Sequence, residues 1–253
     1  QKKAFVSGLS LLEPVSNPDM FSVINLKNEI EDFRGDITSF NFCLDTIKEI
    51  DPEIIFHMAA QPIVRKSYNQ PLLTYKTNVI GTANVLEAAR SCKSIKAIVV
   101  ITSDKCYNNV EKNYSYLETD SLGGYDPYSS SKACAEHVAS AYYQSFFKEK
   151  SIGIATARAG NVIGGGDWSL DRLIPDTVKN WSKNQKVMIR FPNAIRPWQH
   201  VLEPLSGYLI LAQMLRKNPQ KFSVACNFGP DNLSEKTVEE TVSQLASEWN
   251  DNA

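Results

Sequence analysis

Three short apolar runs, separated by stretches long enough for helices, constrain this chain more than anything else in it. They are Glu53-Ile54-Ile55-Phe56-His57-Met58, Lys96-Ala97-Ile98-Val99-Val100-Ile101 and Gly153-Ile154-Ala155-Thr156-Ala157-Arg158. Runs this apolar and this rich in β-branched residues are strands buried on both faces, as in parallel sheets covered by helices. The intervening stretches 71–92 and 128–142 have helical length and pattern. The fold class predicted is α/β, a doubly wound parallel sheet. Beyond the third strand the pattern weakens. It predicts helices over 171–181, 205–217 and 237–249 and strands over 187–191 and 222–228.

Each apolar run ends in small or polar residues. Ala59-Ala60-Gln61-Pro62 follows the first, Thr102-Ser103-Asp104-Lys105 the second, and Ala159-Gly160-Asn161 the third. Ligands of open α/β sheets bind outside the carboxyl ends of the strands, so a site is expected there. The helix that follows opens with Tyr128-Ser129-Ser130-Ser131-Lys132. Residues four apart share a helix face, which sets a phenol beside an ammonium. The cation favours phenolate over phenol and lowers a pKa that is ordinarily about 10. Tyr128 is then a base near neutral pH, unless this is an ordinary amphipathic helix with a tyrosine in its first turn.

Other polar residues have two readings each. Asp36 either accepts from a ligand or caps the helix predicted over 39–49. Asn78, in the middle of the 71–92 helix, is either a buried amide with partners or a solvent-facing one. His57 lies within an apolar strand and is expected in the core. Gly164-Gly165-Gly166 lacks the Gly-Lys-Ser/Thr of a phosphate-binding loop and reads as a flexible connection.

Bulk properties exclude several classes. A chain of 253 residues buries a core as one or two domains. Its net charge of −1 gives no case for nucleic acid or an acidic membrane as partner. No apolar run approaches the roughly 20 residues that span a bilayer, and no signal-like start is visible. Cys43, Cys92, Cys106, Cys134 and Cys226 are scattered without metal-like spacing, so no metal is expected. They read as reduced thiols of a cytoplasmic protein.

The start of the chain departs from the pattern. Residues Lys2 to Gly8 predict a strand ending in a glycine turn. A dinucleotide-binding fold then requires two more glycines and a helix to hold the pyrophosphate. The sequence runs instead from Gly8 to Leu9-Ser10-Leu11-Leu12. The expectation is that a glycine-rich loop and a helix are missing between Gly8 and Leu9. A true deletion would leave a poor cofactor site.

The order of these pieces resembles the extended short-chain dehydrogenase/reductase family, and within it the nucleotide-sugar 4,6-dehydratases. Thr102-Ser103-Asp104-Lys105-Cys106-Tyr107, Asp171-Arg172-Leu173-Ile174-Pro175-Asp176 and the stretch from Arg196-Pro197-Trp198-Gln199-His200 to Gly207-Tyr208 are similar to the CDP-glucose branch. The likeness covers nearly the whole chain, and the last two motifs are long and specific. The Tyr-x-x-x-Lys pair is common to the superfamily and carries no substrate information. The resemblance implies a Rossmann-like NAD-binding domain over 1–166. It also implies a smaller C-terminal α/β substrate-binding domain over 167–253, partly interleaved with the first. Family sequences continue past position 253.

The same resemblance assigns roles. Gly8, Asp36, Ile37, Ala59, Ala60, Asn78, Thr102, Tyr128 and Lys132 would lie at NAD. The implied reaction removes a hydride from sugar C4, eliminates water across C5 and C6, and returns the hydride to C6. Tyr128, aided by Lys132, is the base, Ser103 holds the C4 oxygen, and Asp104 is the acid for the C6 hydroxyl. Lys105 stands where the dTDP-glucose enzymes carry Glu. It is the C5 base if burial neutralises it, or otherwise a positive charge beside the enolate. Arg172, Arg190 and Arg196 suit the diphosphate, Asn161 the sugar or diphosphate, and His200 either the nucleotide or the fold. The implied substrate is CDP-glucose. The implied assembly is a homodimer through the 71–92 helix and the one opening at Tyr128. The competing readings are a nucleotide-sugar 4-epimerase, a dehydratase for another NDP-hexose, and a non-catalytic dinucleotide-binding scaffold. Asp104-Lys105 argues against the epimerase. The presence of Ser103, Asp104, Tyr128 and Lys132 together argues against the scaffold.

Overall fold

The computed structural model describes residues 4–14, 16–110, 114–230 and 235–249, so Lys2 and Lys3 of the expected first strand lie outside the described residues. In chain order the elements begin with β1 (Ser7–Ser10), a short helix α1 (Met20–Val23), β2 (Glu31–Arg34), α2 (Phe40–Ile50), β3 (Ile54–His57) and α3 (Val64–Asn69). Helix α4 (Pro71–Tyr75) runs through a π turn, Lys76–Ile80, into α5 (Gly81–Ala89). Next come β4 (Ala97–Ile101), a 3-10 turn (Asp104–Cys106), α6 (Pro127–Tyr142) with a second π turn (Tyr143–Phe147), and β5 (Gly153–Ala159). The rest is β6 (Asn161–Ile163), α7 (Leu173–Trp181), β7 (Ile195–His200), α8 (Leu202–Lys217), α9 (Pro219–Phe222), β8 (Ala225–Phe228), β9 (Glu235–Thr237) and α10 (Val238–Glu248).

The three apolar runs form three neighbouring strands of a parallel sheet in the order β3-β4-β5-β8. Successive side chains of a strand point to opposite faces. On β4, Ile98 and Val100 pack on one side with Leu86, Ala89 and Phe147. Ala97 and Val99 pack on the other with Leu211 and Leu215 of α8. Helices therefore cover both faces, as a doubly wound sheet requires. Full burial of a side chain such as Leu86 or Phe147 contributes about 1.5–3 kcal/mol.

Local chemistry fixes where the helices start. Ser39 Oγ caps α2 by accepting from Phe42 N at 3.4 Å. Asp36 is not that cap: its Oδ1 accepts from Thr38 N at 2.8 Å and builds the preceding turn. Asp126 caps α6 by accepting from Ser129 N at 2.9 Å, with Pro127 at the first helical position. Gly124, at φ 132°, makes the turn that leads in, and a Cβ there would lie 2.6 Å from Ser130 N. These features place Tyr128 in the first turn of α6.

The chain divides into two compact units. The first holds residues 1–12, 32–159 and 204–228, and the second 13–31, 160–203 and 229–253. The boundary falls at 159/160 rather than 166/167, and α8 and β8 return to the first unit because they complete its sheet and core. The second unit carries a three-stranded sheet, β6-β7-β9, in which β6 and β7 are parallel and β7 and β9 antiparallel. Trp181 of α7 and Trp249 just after α10 meet there, ring centroids 5.5 Å apart.

Two expected strands differ. Residues 187–191 form none, and Met188 and Phe191 stand exposed. Their apolar spacing finds no partner strand, and the strand of this region is β7. The first strand is Ser7–Ser10, so Gly8 lies inside it rather than in a turn at its end. Strands β1 and β2 pair with each other in a separate two-stranded sheet. Among the described residues no helix is long and apolar enough to cross a membrane, and no cluster of His, Cys, Asp or Glu suits a metal ion.

Candidate active site

In the first unit the site forms where β4 ends beside α6. Ile101 closes the strand, Thr102 and Ser103 are buried, and Asp104–Cys106 turn away in the 3-10 turn. Ser103 Oγ donates to Asp104 Oδ1 at 3.0 Å and accepts from Lys105 N at 3.2 Å. The hydroxyl is thus held between the acid candidate and the backbone of the next residue.

Tyr128 and Lys132 lie one turn apart on α6, and both are buried. Tyr128 N donates to Ser67 Oγ at 3.2 Å, which ties the start of α6 to α3. Lys132 Nζ donates to Ile101 O at 3.1 Å. Burial pulls the ammonium's pKa down to about 8, while the Glu136 carboxylate pulls the other way. An ammonium has three N–H donors, and among the described residues its one hydrogen bond is to Ile101 O. A buried cation with donors to spare at the end of β4 fits the ribose–nicotinamide end of a dinucleotide. The glycine-rich loop for its diphosphate is not in this sequence: no glycine lies between Gly8 and Gly35.

The remaining cofactor candidates sort differently. Asp36 presents an exposed carboxylate in the turn after β2. The Ile37 side chain belongs to the core against Gly81, and its carbonyl accepts from Asn84 Nδ2 at 2.9 Å. Only its N–H remains for a ligand. Thr102 is also committed internally, since its hydroxyl donates to Glu136 Oε1.

Asn78 is the buried amide with partners. Its Oδ1 accepts from Gln61 N at 2.7 Å, and its Nδ2 donates to Gln61 O at 3.1 Å and to Ser131 Oγ at 2.8 Å. It clips the Ala59–Gln61 segment to α6. It sits in the π turn, a helical irregularity often found at functional sites. His57 is a core residue. Thr82 Oγ1 gives its one proton to Asn78 O at 2.7 Å, so His57 Nε2 donates to Thr82 Oγ1 at 2.9 Å. Burial first, and then the Lys132 charge, push the His57 pKa down to about 3, so the ring is neutral.

Lys105 follows Asp104 in the 3-10 turn with its side chain exposed. The Cys106 thiol beside it is buried and pushed up to about 12, chiefly by desolvation, so it is no nucleophile.

The expected substrate residues lie in the second unit. Arg190 and Arg196 line one cavity of about 230 Å³, together with Asp171, Met188 and Phe191. Arg190 Nη2 pairs with Asp171 Oδ1 at 3.1 Å, and Arg196 Nη1 donates to Ile195 O at 2.7 Å. Arg172 lies at the start of α7, 3.9 Å from Asp167 Oδ2, and its buried Nε has no hydrogen-bond partner. Asn161 opens β6 opposite Trp198. His200 Nδ1 accepts from Leu202 N at 3.3 Å and so serves the start of α8.

Sequence reasoning missed a buried polar network beneath Lys132. Glu136 Oε2 accepts from Thr156 Oγ1 at 2.6 Å and pairs with Arg158 Nη2 at 2.7 Å. Arg158 Nη1 donates to Tyr107 OH at 2.8 Å and to Glu118 O at 3.1 Å. Tyr107 OH in turn donates to Asn227 Oδ1 at 2.6 Å. The signal was present: Glu136 falls four residues after Lys132, and an arginine ends an otherwise buried strand run.

Residues 15–252 match the family model of GDP-mannose 4,6 dehydratase. CDP-glucose 4,6-dehydratase from Salmonella typhimurium is 51% identical over 255 residues, covering 99% of this chain and 71% of that protein. A dTDP-D-glucose 4,6-dehydratase from Dictyostelium discoideum is 26% identical over 74% of this chain and 44% of its own length. Among solved structures, a dTDP-glucose 4,6-dehydratase from Bacillus anthracis in complex with NAD superposes with a TM-score of 0.76 at 26% identity, covering 94% of this chain and 70% of that one. A UDP-glucuronic acid 4-epimerase from Bacillus cereus, in complex with UDP-glucuronic acid and NAD, gives a TM-score of 0.78 at 20% identity, covering 96% and 74%. The Salmonella match spans 255 residues against the 253 of this chain.

Proposed function

This chain belongs to the GDP-mannose 4,6-dehydratase family, and on that premise we propose that it is an NAD-dependent hydro-lyase converting CDP-glucose to CDP-4-dehydro-6-deoxyglucose. The observation that carries the reading is the meeting of Ser103 and Asp104, at the carboxyl end of β4, with Tyr128 and Lys132 on α6. Lys132 Nζ is hydrogen-bonded to the strand's last carbonyl.

Tyr128 takes the proton of the C4 hydroxyl. The Lys132 charge one turn away on the same helix face favours the phenolate this requires. Ser103 Oγ hydrogen-bonds the C4 oxygen as it becomes a ketone. The ketone acidifies the C5 hydrogen, whose proton passes to solvent water as the enolate forms and is regained at C5 when hydride adds to C6. Asp104, 3.0 Å from Ser103 Oγ, protonates the departing C6 hydroxyl, so that water leaves across C5 and C6. Lys105, exposed beside Asp104, stabilises the enolate electrostatically rather than serving as the C5 base. NAD, when bound, supplies the hydride acceptor for C4 and the hydride donor for C6, and the sum of the steps is loss of one water. Lys132 and the Ala59–Ala60 segment would hold its ribose end, and the Asp36 carboxylate its adenine amino group. In the second unit, Arg190 and Arg196 take the diphosphate, with Arg172 and Asn161 toward the sugar.

The chain acts as a cytoplasmic homodimer in this reading. Its five cysteines are all free. Leu72, Leu73 and Ile80 on α4 and the π turn, and Phe146 beyond α6, are exposed apolar groups on the two helices expected to meet a partner. Light scattering at micromolar concentration is expected to give twice the chain mass, and a monomer overturns the dimer. The activity is tested by incubation with CDP-glucose and NAD. The expected product is one water lighter by mass and shows a new C6 methyl resonance. A CDP-hexose of unchanged mass, epimerised or not, overturns the dehydratase.

A further inference from the structure

One buried charge pair takes no part in those steps, yet it touches every element that carries them. Tyr128, Lys132 and Glu136 form a stripe on one face of α6, at successive turns. Two of them grip consecutive residues at the end of β4: Lys132 Nζ holds Ile101 O at 3.1 Å, and Glu136 Oε1 accepts from the Thr102 hydroxyl. Ser103 and Asp104 follow immediately. The other Glu136 oxygen takes Thr156 Oγ1 at 2.6 Å and Arg158 Nη2 at 2.7 Å on β5. Through Arg158 and Tyr107 the chain of contacts reaches Asn227 on β8.

We propose that Glu136 is a positioning residue, which locks the Ser103–Asp104 turn against α6 and β5 and supplies a negative charge that acts on the Lys132 ammonium. The inference rests on the role given to Lys132 above. The titratable groups that face Lys132 are Glu136 and Tyr128 from α6, Cys106 from the 3-10 turn and His57 from β3. The thiol is held protonated, its pKa raised to about 12 by burial, and burial with the Lys132 charge keeps the imidazole neutral at about 3. The side chains of Glu136 and Arg158 are each 4% exposed. Burial opposes the Arg158 charge, but its hydrogen bond to Glu136 overrides this and raises its pKa, so the guanidinium stays charged.

The test reads Lys132 directly. In protein labelled with 13C-lysine, the Lys132 Cε resonance, assigned with Lys132→Met, is titrated in the wild type, Glu136→Gln and Glu136→Asp. In Glu136→Gln the ammonium loses its proton roughly one to two pH units lower. In Glu136→Asp, which keeps the charge, the shift is less than half as large. Glu136→Gln leaves Arg158 buried and unpaired, so Glu136→Gln/Arg158→Met is made as well. It removes both charges and is expected to fold and to show the same downward shift. With CDP-glucose, the alkaline limb of the kcat profile moves with the Lys132 titration. If Lys132 titrates as in the wild type in both charge-removing variants, the proposal is overturned, whether or not they lose activity. The titration is independent of catalysis, so a protein inactive toward CDP-glucose would sink the function without touching this result.

Discussion

Replacing Asn78 with alanine isolates the clip between the Ala59–Gln61 segment and α6. Asn78 is 2% exposed and makes three hydrogen bonds. Its removal orphans the Gln61 N–H and C=O in a buried position, at about 1–3 kcal/mol each. Ser131 loses less, because its hydroxyl keeps its own bond to Tyr128 O at 2.7 Å. Alanine recovers up to about 0.7 kcal/mol through helix propensity. The net expectation is a loss of about 3–4 kcal/mol. In urea denaturation, with a slope of about 3 kcal/mol/M, the midpoint falls by about 1 M. Asn78→Asp does not rescue, since a carboxylate accepts from Gln61 N but cannot donate to Gln61 O. Affinity for NAD, measured by calorimetry, falls in both variants as the segment after β3 loosens. A loss below about 1 kcal/mol in Asn78→Ala would show that the bonds are dispensable and refute the reasoning.

Tyr128→Phe keeps the buried ring and removes the base, so kcat with CDP-glucose is expected to fall by about 10²–10⁴ with the urea midpoint nearly unchanged; a loss under tenfold removes Tyr128 from the chemistry. His57 is neutral in the fold but takes a proton below about 6.5 when unfolded, so its stability contribution is complete above that pH and is lost as pH falls toward about 3. Between pH 7 and pH 5 this amounts to about 2 kcal/mol, visible as a urea midpoint that drops less in His57→Gln than in the wild type. Arg196→Ala is expected to raise the KM for CDP-glucose by about 10–100-fold with kcat largely kept, and an unchanged KM removes it from the diphosphate site. Lys105→Met should slow C5 hydrogen exchange with solvent, and Lys105→Glu should slow it further; a Glu variant as fast as the wild type would restore Lys105 as the base.

The sheet was legible because β3, β4 and β5 are buried on both faces, and burial leaves a continuous apolar run. β7 was not, because Arg196, Pro197, Gln199 and His200 break both apolar continuity and alternation. Pro197 sits before the β6 pairing begins at Asn161–Trp198, where its missing N–H costs little. The reverse error at Val187–Phe191 has the same root. Apolar spacing can mark a strand face or a cavity wall, and Val187, Met188 and Phe191 line the Arg190–Arg196 cavity. Tyr128 and Lys132 were readable from spacing alone, since helix geometry is local. The Thr102 hydroxyl is claimed by Glu136, thirty-four residues away, and such pairing cannot be read along the chain. Asp36 lost the role of cap to Ser39, the residue next to the helix, for which the same preference holds.

The polypeptide passes between its two units at 12/13, 31/32, 159/160, 203/204 and 228/229. Grafting a new sugar specificity from a homologue by one splice near residue 160 would therefore carry α8 and β8 along with it. The graft would replace Leu211 and Leu215, which pack in one cluster with the recipient's own Val99 and Ala157. A working chimera has to exchange 160–203 and 229–253 as separate cassettes and leave the stretch between them native.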